Sequence, residues 1–424
     1  MSRKLSLFIL LALALPCVLL ADDAKSWTDR IKISGDFRYR YEFIGSQTYV
    51  PYFHDSLRTT TGAKARVYDR NRNRIRLRLG LQAMVNSDMD VYLRIASSTG
   101  TTSDPGTSVA GDPVSTNQDL TGSFVPKPIW IDRAYVDYHP GCAKWLDARA
   151  GKQPVPFEST DLVYDPDLNI EGVAALFSHK MDKNEMFLRV GGFWADETGP
   201  TSSITPTGTL ALKHAVDQGM FEGQIGGKMA SDQMSGQLAV AYITYGNVKN
   251  NLALYTPNSG NNTLVNGKYL YDYNMINVNA MFKYKMDKIE PSILVDFVTN
   301  SGAKKDTTHE KDDNGATVLT YDKKLGTSWL AGLGLKFNKL PFDWDLSYNY
   351  RASQKDATIS AYTDSDPAGG GTNYTGHKVM LGFNVLPGSR LALTYFKDIK
   401  DADNKVSTKR LDYDRIQADI EVKF

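Results

Sequence analysis

Four arginines, Arg72, Arg74, Arg76 and Arg78, occupy every second position from 72 to 78, and the aliphatic residues Ile75, Leu77, Leu79 and Leu81 occupy alternate positions on the other face. A guanidinium keeps its positive charge at any pH that a cell meets. A row of such groups in a narrow aqueous passage creates a field that sorts ions by charge. The chemistry that this pattern indicates is therefore electrostatic recognition of solutes rather than bond making.

An alternation with a period of two residues is typical of a β-strand, because successive side chains of a strand point to opposite faces. A helix would spread the same arginines around its whole circumference. In a soluble sheet the aliphatic row would face a core, and in a membrane barrel it would face lipid while the arginine row faced a wet lumen. The rest of the chain has to decide between these two environments.

The same alternation recurs along the chain, for example over residues 276–285, 342–351 and 415–424. No part of the chain after the leader reaches the ~20 consecutive apolar residues that a membrane helix needs. Short turns are predicted at 86–88, 139–144, 181–185, 230–234, 287–290, 339–341 and 387–389. They alternate with long polar connections near 45–70, 99–129, 158–171, 198–218, 249–270, 301–325, 356–375 and 401–408.

This arrangement of connections predicts sixteen strands with short turns at one end and long loops at the other. An even strand number with loops sorted in this way is typical of bacterial outer-membrane barrels. We therefore predict an all-β transmembrane antiparallel barrel of about sixteen strands, with short periplasmic turns and long extracellular loops. The arginine row then faces the lumen, since a charge at the lipid midplane would cost ~2–4 kcal/mol.

The two ends of the chain agree with export to the outer membrane. Residues 1–21 combine a short basic start with an apolar stretch, which predicts a cleaved signal peptide and a single barrel domain over residues 22–424. Phe424, an aromatic last residue on an alternating strand, resembles the C-terminal assembly signal of such barrels. The expected partners are the barrel-assembly machinery, outer-membrane lipids and lipopolysaccharide.

The chain has 49 basic and 48 acidic residues, so no overall charge indicates binding to nucleic acid. Strand parity nevertheless places more bases than acids inside the first five strands. The inward acids are Asp36, Glu42, Asp90, Asp137 and Asp147. We name the inward arginines the arginine wall: Arg38, Arg40, Arg72, Arg74, Arg76, Arg78, Arg94, Arg133 and Arg149. Lys32 lies on the same face, and adjacent strands are ~4.8 Å apart, so these bases should be contiguous.

The third long connection, residues 158–171, carries acids and no base. Its acidic residues are Glu158, Asp161, Asp165, Asp167 and Glu171. We expect this segment to fold into the lumen opposite the arginine wall and to form a constriction with a transverse field. In the alternative, the arginines pair with Asp36, Glu42 and Asp90 on neighbouring strands while the acidic loop stays in solvent.

Two adjoining stretches carry a family resemblance. ARAGKQPVPF (148–157) resembles a segment of phosphate-selective and related porins in which Gly and Gln precede a Pro-Phe pair. YDPDLNIEGVAALF (164–177) is similar to the segment that follows in the bacterial "putative porin" family, which is related to general diffusion porins. The resemblance implies a trimeric, sixteen-stranded porin that passes small solutes by diffusion. Lysines dominate the constriction of phosphate-selective porins, whereas the corresponding loop here is acidic, so phosphate specificity does not follow.

Other kinds of site find little support. DPDLN (165–169) begins like a calcium loop, but Ile170 stands where glycine is required and Leu176 where glutamate is required. The six histidines have no metal-ligand spacing, and the chain has neither a Gly-rich phosphate loop nor a Gly-x-Ser-x-Gly motif. We predict no catalytic, cofactor-binding or metal-binding residue. Cys142 falls in a predicted periplasmic turn and receives no role.

The pattern thus favours an outer-membrane porin for passive diffusion of small hydrophilic solutes and ions, with a mild preference for anions. An adhesin or surface-binding protein would use the long loops, and an outer-membrane enzyme would need clustered nucleophile and base residues on the outer surface. A transporter with an N-terminal plug is disfavoured, because only residues 22–31 separate the leader from the first strand.

Overall fold

A computed structural model of the chain describes residues 26–49, 64–99, 112–197, 201–204, 210–213, 216–254, 261–311, 317–338, 343–400 and 411–424. The predicted signal peptide lies outside these residues. Sixteen strands form one closed antiparallel barrel. They are β1 Ile31–Tyr49, β2 Lys64–Asn86, β3 Met89–Ser97, β4 Ile129–Tyr138, β5 Leu146–Pro154, β6 Asn169–Met181, β7 Asn184–Asp196, β8 Gln218–Ala230, β9 Met234–Gly246, β10 Asn274–Tyr284, β11 Ile289–Asn300, β12 Thr327–Phe337, β13 Asp343–Ser353, β14 Tyr374–Leu386, β15 Ser389–Lys400 and β16 Leu411–Lys423.

Each strand pairs with the next one in the sequence, and β16 pairs with β1 from Asp36↔Lys423 to Thr48↔Leu411. The last residue continues this seam, because the N–H of Gly35 donates to the carbonyl of Phe424 at 2.7 Å and the N–H of Phe424 donates back at 3.0 Å. Among the sixteen barrel strands, as far as the structure describes them, no strand lacks a neighbour on either side, so their ladder hydrogen bonds are made within the wall. The predicted fold class and strand number are confirmed.

Burial alternates along each strand as the sequence pattern requires. Phe37 and Tyr39 are exposed on the outer face, whereas Arg38 and Arg40 between them are buried on the inner face. The apolar surface is therefore on the outside and the polar surface inside, which is the arrangement of a barrel in lipid. Among the described residues, no helix has the length and apolar character needed to cross a membrane.

Two loop boundaries differ from the predicted ones. β1 continues to Tyr49 and β2 starts at Lys64, so the first connection spans 50–63 rather than 45–70. The sequences of these extensions, SQTY (46–49) and KARVYD (64–69), are mostly polar, and a hydropathy pattern therefore does not detect them. The third connection ends before Asn169, so Glu171 belongs to β6, where it is exposed and pairs with Lys152 at 2.7 Å.

The main apolar cluster lies inside the barrel, between the wall and several long loops. We number the long loops L1–L8 in chain order; the described parts of L2, L3, L5 and L7 are residues 98–99 and 112–128, 155–168, 247–254 and 261–273, and 354–373. The cluster contains Leu162, Val163 and Tyr164 of L3, Val248, Leu254, Tyr269 and Tyr273 of L5, Ile359 and Ala361 of L7, and inward residues such as Ile243, Met275 and Leu330 of the strands. These loops are packed against one another and against the wall, so they narrow the interior.

The stretch that carried the family resemblance fixes the start of L3. Gly151 has φ +124°, a conformation that favours glycine. Gln153 is fully buried and donates to the carbonyl of Gly172 at 3.2 Å. Pro156 accepts a hydrogen bond from Arg189 at 2.7 Å, and Phe157 packs edge-on against the ring of Phe193. The motif thus turns the chain from β5 into the barrel interior.

We expect Gly151→Ala to destabilise the folded barrel by about 1–3 kcal/mol, because of strained backbone and crowding. A Cβ at position 151 would lie 2.3 Å from the carbonyl oxygen of Ala134. The urea midpoint of the folded barrel in detergent micelles measures the effect. Gly246→Ala is the matched control, since a Cβ there would have its nearest neighbour at 3.9 Å. Equal midpoints for the two variants would contradict this explanation of the motif.

Candidate functional site

The register of β1 and β2 brings the arginine wall together. Arg38 stands opposite Arg76 and Arg40 stands opposite Arg74, with all four side chains on the lumenal face. Four neighbouring guanidiniums repel one another, and each must leave bulk water to be covered. Such a cluster is stable only when carboxylates are close to it.

The extracellular part of the wall receives carboxylates from four elements: β1, β16, L2 and L7. Arg40 forms a two-pronged ion pair with Asp419 of β16 at 2.6 and 2.7 Å, and a further contact with Asp366 of L7 at 3.2 Å. Asp119 of L2 lies 2.8 Å from Arg74 and 3.3 Å from Arg72. Arg72 also pairs with Glu42. Strand acids and loop acids therefore neutralise this part of the wall together.

The middle of the wall is covered in a similar way. Asp36 accepts hydrogen bonds from Arg76 at 2.9 Å and from Arg78 at 2.7 Å. Arg78 reaches Asp167 of L3 at 3.0 Å. Arg38 lies 3.4 Å from Glu421. Asp36 therefore pairs with wall arginines, as the alternative drawn from the sequence expects of the strand acids.

Glu42 also pairs with a wall arginine, as this alternative expects, whereas Asp90 does not. Asp90 is buried, accepts a hydrogen bond from Gln82 at 2.8 Å and lies 3.5 Å from His139. Its partners come from the periplasmic end of the barrel, where the wall has no arginine opposite it.

The arginines of β3, β4 and β5 have fewer partners. Arg149 pairs with Asp137 at 3.0 Å, and Arg94 pairs with Asp132. Strand parity would turn Asp132 outward, but the register between β3 and β4 shifts there and the side chain is buried. Arg133 donates to the amide oxygen of Asn169 at 2.7 Å and forms no ion pair with a described residue. Arg133 is thus the wall arginine that forms no ion pair with a described carboxylate.

Loop L3 begins on the side of the barrel away from the arginine wall. We call this side, strands β7–β14, the far wall. Glu158 pairs with Arg189 of β7 at 2.9 Å and with Lys228 of β8 at 2.7 Å. Burial acts to raise the pKa of Glu158, but these two cations outweigh burial and lower it. Thr160 donates through its N–H and its hydroxyl to Asp296 of β11, at 2.9 and 2.7 Å.

The middle of L3 continues around the far wall. Asp161 lies 3.2 Å from Arg351 of β13 and 3.4 Å from Lys378 of β14. Burial opposes ionisation there, but Arg351 and Lys378 lower the pKa of Asp161. Asp167 then reaches Arg78 on β2, so L3 contacts both sides of the lumen. Of the predicted acidic residues, Glu158 and Asp161 lie at the far wall, Asp167 lies at the arginine wall and Glu171 lies outside.

Loop L7 joins L3 through its backbone and its carboxylates. The N–H of Asp364 donates to the carbonyl of Asp161 at 3.2 Å, and the N–H of Asp165 donates to the carbonyl of Tyr362 at 2.8 Å. Ser365 donates its N–H to the carboxylate of Asp165 at 3.2 Å. Burial, with Asp366 and Asp161 nearby, raises the pKa of Asp364 to about 7. We call this contact the L3–L7 junction: residues 161–165 and 362–366.

Several functional residues were missing from the predicted site. Arg351 and Arg415 are almost fully buried, and Arg415 contacts Asp366 at 3.0 Å. Strand parity points both arginines inward, so the pattern could have included them. Nothing local in the sequence of L7 indicates that Asp364 and Asp366 lie inside the barrel. Within the described residues, no group of His, Cys, Asp or Glu side chains could hold a metal ion.

A closed sixteen-stranded barrel with an apolar outside and a charged interior defines an outer-membrane porin. The chain belongs to the family described as "Putative porin", whose model matches residues 20–266 and 256–424. Its location is the outer membrane. The family and the fold class are those of a channel rather than of an enzyme.

Solved structures of similar fold cover nearly the whole chain. The loop L8 deletion mutant of OmpT, an outer membrane protein of Vibrio cholerae, is 8% identical, with a TM-score of 0.47 and coverage of 93% of this chain and 99% of that one. The outer membrane channel DcaP of Acinetobacter baumannii is 14% identical, with a TM-score of 0.47 and coverage of 93% and 97%. OmpF of Salmonella typhi in complex with daunomycin is 10% identical, with a TM-score of 0.45 and coverage of 94% and 99%. No curated protein matches the chain.

Proposed function

We propose that this porin passes small hydrophilic solutes and ions by diffusion and mildly prefers anions. The observation that carries the preference is the set of uncompensated bases on the arginine-wall side of the lumen. Arg133, Lys32 and Lys423 form no ion pair with a described residue. Fixed positive charge beside a narrow aqueous path raises the local concentration of anions.

Two unpaired acids on the far wall, Glu222 and Asp296, do not cancel this charge, because L3 covers them. Glu222 and Asp296 lack a basic partner among the described residues, but both are buried beneath L3. Tyr164 donates to Glu222 at 2.7 Å, and Thr160 donates to Asp296. Carboxylates covered in this way contribute little to the field in the aqueous path.

The same proposal assigns the remaining parts of the chain. Residues 1–21 act as a cleaved signal peptide, residues 22–424 form the single barrel domain, and L3 with its acids is the pore-constricting loop. The barrel-assembly machinery reads Phe424, and the mature protein works as a homotrimer among outer-membrane lipids and lipopolysaccharide. The hydrogen bonds between Phe424 and Gly35 at the closing seam support the assignment of Phe424.

The proposed preference is tested by the reversal potential of the purified protein in a planar bilayer under a KCl gradient. We expect the wild-type potential to have the sign of chloride preference. Arg74→Ala and Arg76→Ala should each shift it toward zero, because Asp119 or Asp36 loses a cation. Lys183→Ala is the control, since Lys183 lies in an exposed periplasmic turn. A wild-type potential of the opposite sign would refute the anion preference.

A further inference from the structure

A cavity of about 680 Å³ lies against the periplasmic half of the arginine wall, below L3. Its lumenal lining comes from β1, β2, β3, β4 and β16. Ser34 and Gly80 form its floor, and Arg94, Arg133 and Lys32 stand around that floor. We call this cavity the basic recess. It differs from the loop-covered part of the wall because three of its bases, Lys32, Arg133 and Lys423, form no ion pair with a described residue.

The recess exists because the arginine row of β2 stops. Going toward the periplasm, the inward positions of β2 read Arg76, Arg78, Gly80. Gly80 pairs with Ser34 on one side and with Arg94 on the other, and Arg94 pairs with Arg133. Two small residues therefore lie beside two large cationic ones at one level of the barrel.

The backbone does not require glycine at position 80. Its φ lies outside the left-handed region, and an added Cβ would have the hydroxyl of Ser34 as its nearest neighbour, at 3.4 Å. Glycine here leaves space in the lumen instead of relieving strain. This separates Gly80 from Gly151, where φ is +124°.

The charges around this space face one another across it. Lys32 and Lys423 lie on β1 and β16, and Arg133 lies on β4. Adjacent strands are ~4.8 Å apart, so β1 and β4 are roughly 14 Å apart, and long side chains from both flanks reach the space between them. Arg133 uses its Nε for Asn169, which leaves the rest of its donor fork for another acceptor. Tyr135, at the next lumenal level of β4, adds a hydroxyl.

We propose that the basic recess is a binding site for a small solute that carries an oxyanion, either a carboxylate or a phosphate. Guanidinium forks match the geometry of two oxygens on such a group, and a flanking ammonium adds charge without a directional demand. The proposal rests on the proposed anion preference and deepens it: the wall holds anions at one place rather than only attracting them. Passage of such solutes should therefore saturate with concentration, unlike diffusion through a uniform field.

The test is current through single channels in KCl, with inorganic phosphate or acetate added to each chamber in turn. We expect at least one of the two anions to interrupt the chloride current in a concentration-dependent way. Arg133→Gln and Gly80→Leu should each raise the half-blocking concentration about tenfold, the effect expected when a charged hydrogen bond or its space is lost. Lys283→Gln is the matched control, because it removes one lumenal charge from β10 on the far wall.

Block that both recess variants weaken and Lys283→Gln leaves unchanged would support the site, and comparison of the two anions would show which oxyanion it prefers. No block, or block that the recess variants leave unchanged, would overturn it; a chloride-preferring reversal potential would in that case leave the proposed function standing. The folded state of each variant is checked by its heat-dependent mobility on gels. Arg133→Gln keeps the test available if Gly80→Leu does not fold.

Discussion

Replacing Arg351 with methionine is expected to raise the single-channel conductance several-fold and to add rapid current fluctuations. Arg351 is 1% exposed and lies 3.2 Å from Asp161, at the far wall where L3 is attached. Removing one partner of a buried ion pair costs about 3–5 kcal/mol, because the other charge stays buried without compensation. Among the described residues, Lys378 would then be the one cation left within ion-pair distance of Asp161, at 3.4 Å. That cost is large enough to favour states in which L3 leaves the wall.

Two further variants separate release of L3 from general damage. Lys378→Met should have a smaller effect, because the side chain of Lys378 is 24% exposed and solvent-screened pairs contribute little. Adding Asp161→Asn to Arg351→Met should bring conductance back toward the wild-type value, since it removes the uncompensated charge. Conductance and current noise like those of the wild type in a folded Arg351→Met barrel would show that L3 does not limit the current.

The strands could be predicted because lipid and water impose opposite demands on the two faces of one ladder. The inward arginines Arg74, Arg76 and Arg78 of β2 each have an outward aliphatic neighbour, and this pattern fixes strand type, orientation and the side that faces water. The pattern fails where the sequence is mostly polar. β1 extends to Tyr49 and β2 starts at Lys64, and the sequence of these extensions resembles a loop.

The charged interior could be predicted only as a list of inward residues. Strand parity places Arg40 in the lumen, but its contacts with Asp419 and Asp366 join residues more than three hundred positions apart. Such pairing depends on barrel closure and on how L7 folds, and neither leaves a local signal. Asp132 was missed because a shift in register turns it inward. The predicted constriction by L3 remains a prediction about the current, although its contacts with both walls are now described.

The channel is also expected to conduct more as the pH rises from about 5 to 8, because the L3–L7 junction contains a carboxyl group that is neutral at the lower pH. Burial raises the pKa of Asp364 to about 7, and the neighbouring carboxylates of Asp366 and Asp161 add to the effect. When L7 leaves the junction, Asp364 should return toward its ordinary value of 3.8. The docked state therefore binds this proton more tightly than the undocked state does.

The sign follows from this difference in proton affinity. Because the pKa of Asp364 is higher in the docked state, protonation of Asp364 stabilises docking, and this stabilisation is complete below about pH 4. The stabilisation from Asp364 falls as the pH rises and is lost above about pH 7. Asp165 changes in the same direction, because burial, Asp364 and Asp167 raise its pKa well above the ordinary value. Asp161 and Asp366 act in the opposite direction, since nearby arginines lower their pKa values and keep them ionised over this range. Arg351, which lies 3.2 Å from Asp161 at the junction, keeps its charge between pH 5 and 8. Rising pH in this window therefore weakens docking.

Conductance of the wild-type channel at steps between pH 5 and 8, at constant ionic strength, measures the effect. Asp364→Asn is the sharpest control. An amide is neutral like the protonated acid, can donate a hydrogen bond to Asp161 and can accept the N–H of Asp366, as the acid does at 2.9 Å. The variant should therefore keep the low-pH conductance across the window, apart from the smaller change that Asp165 contributes. If Asp364→Asn shows the same rise in conductance as the wild type, the pH response originates outside the junction. If the wild type shows no rise at all, the junction stays closed when Asp364 ionises, and the repulsion among its carboxylates is too weak to separate L3 from L7.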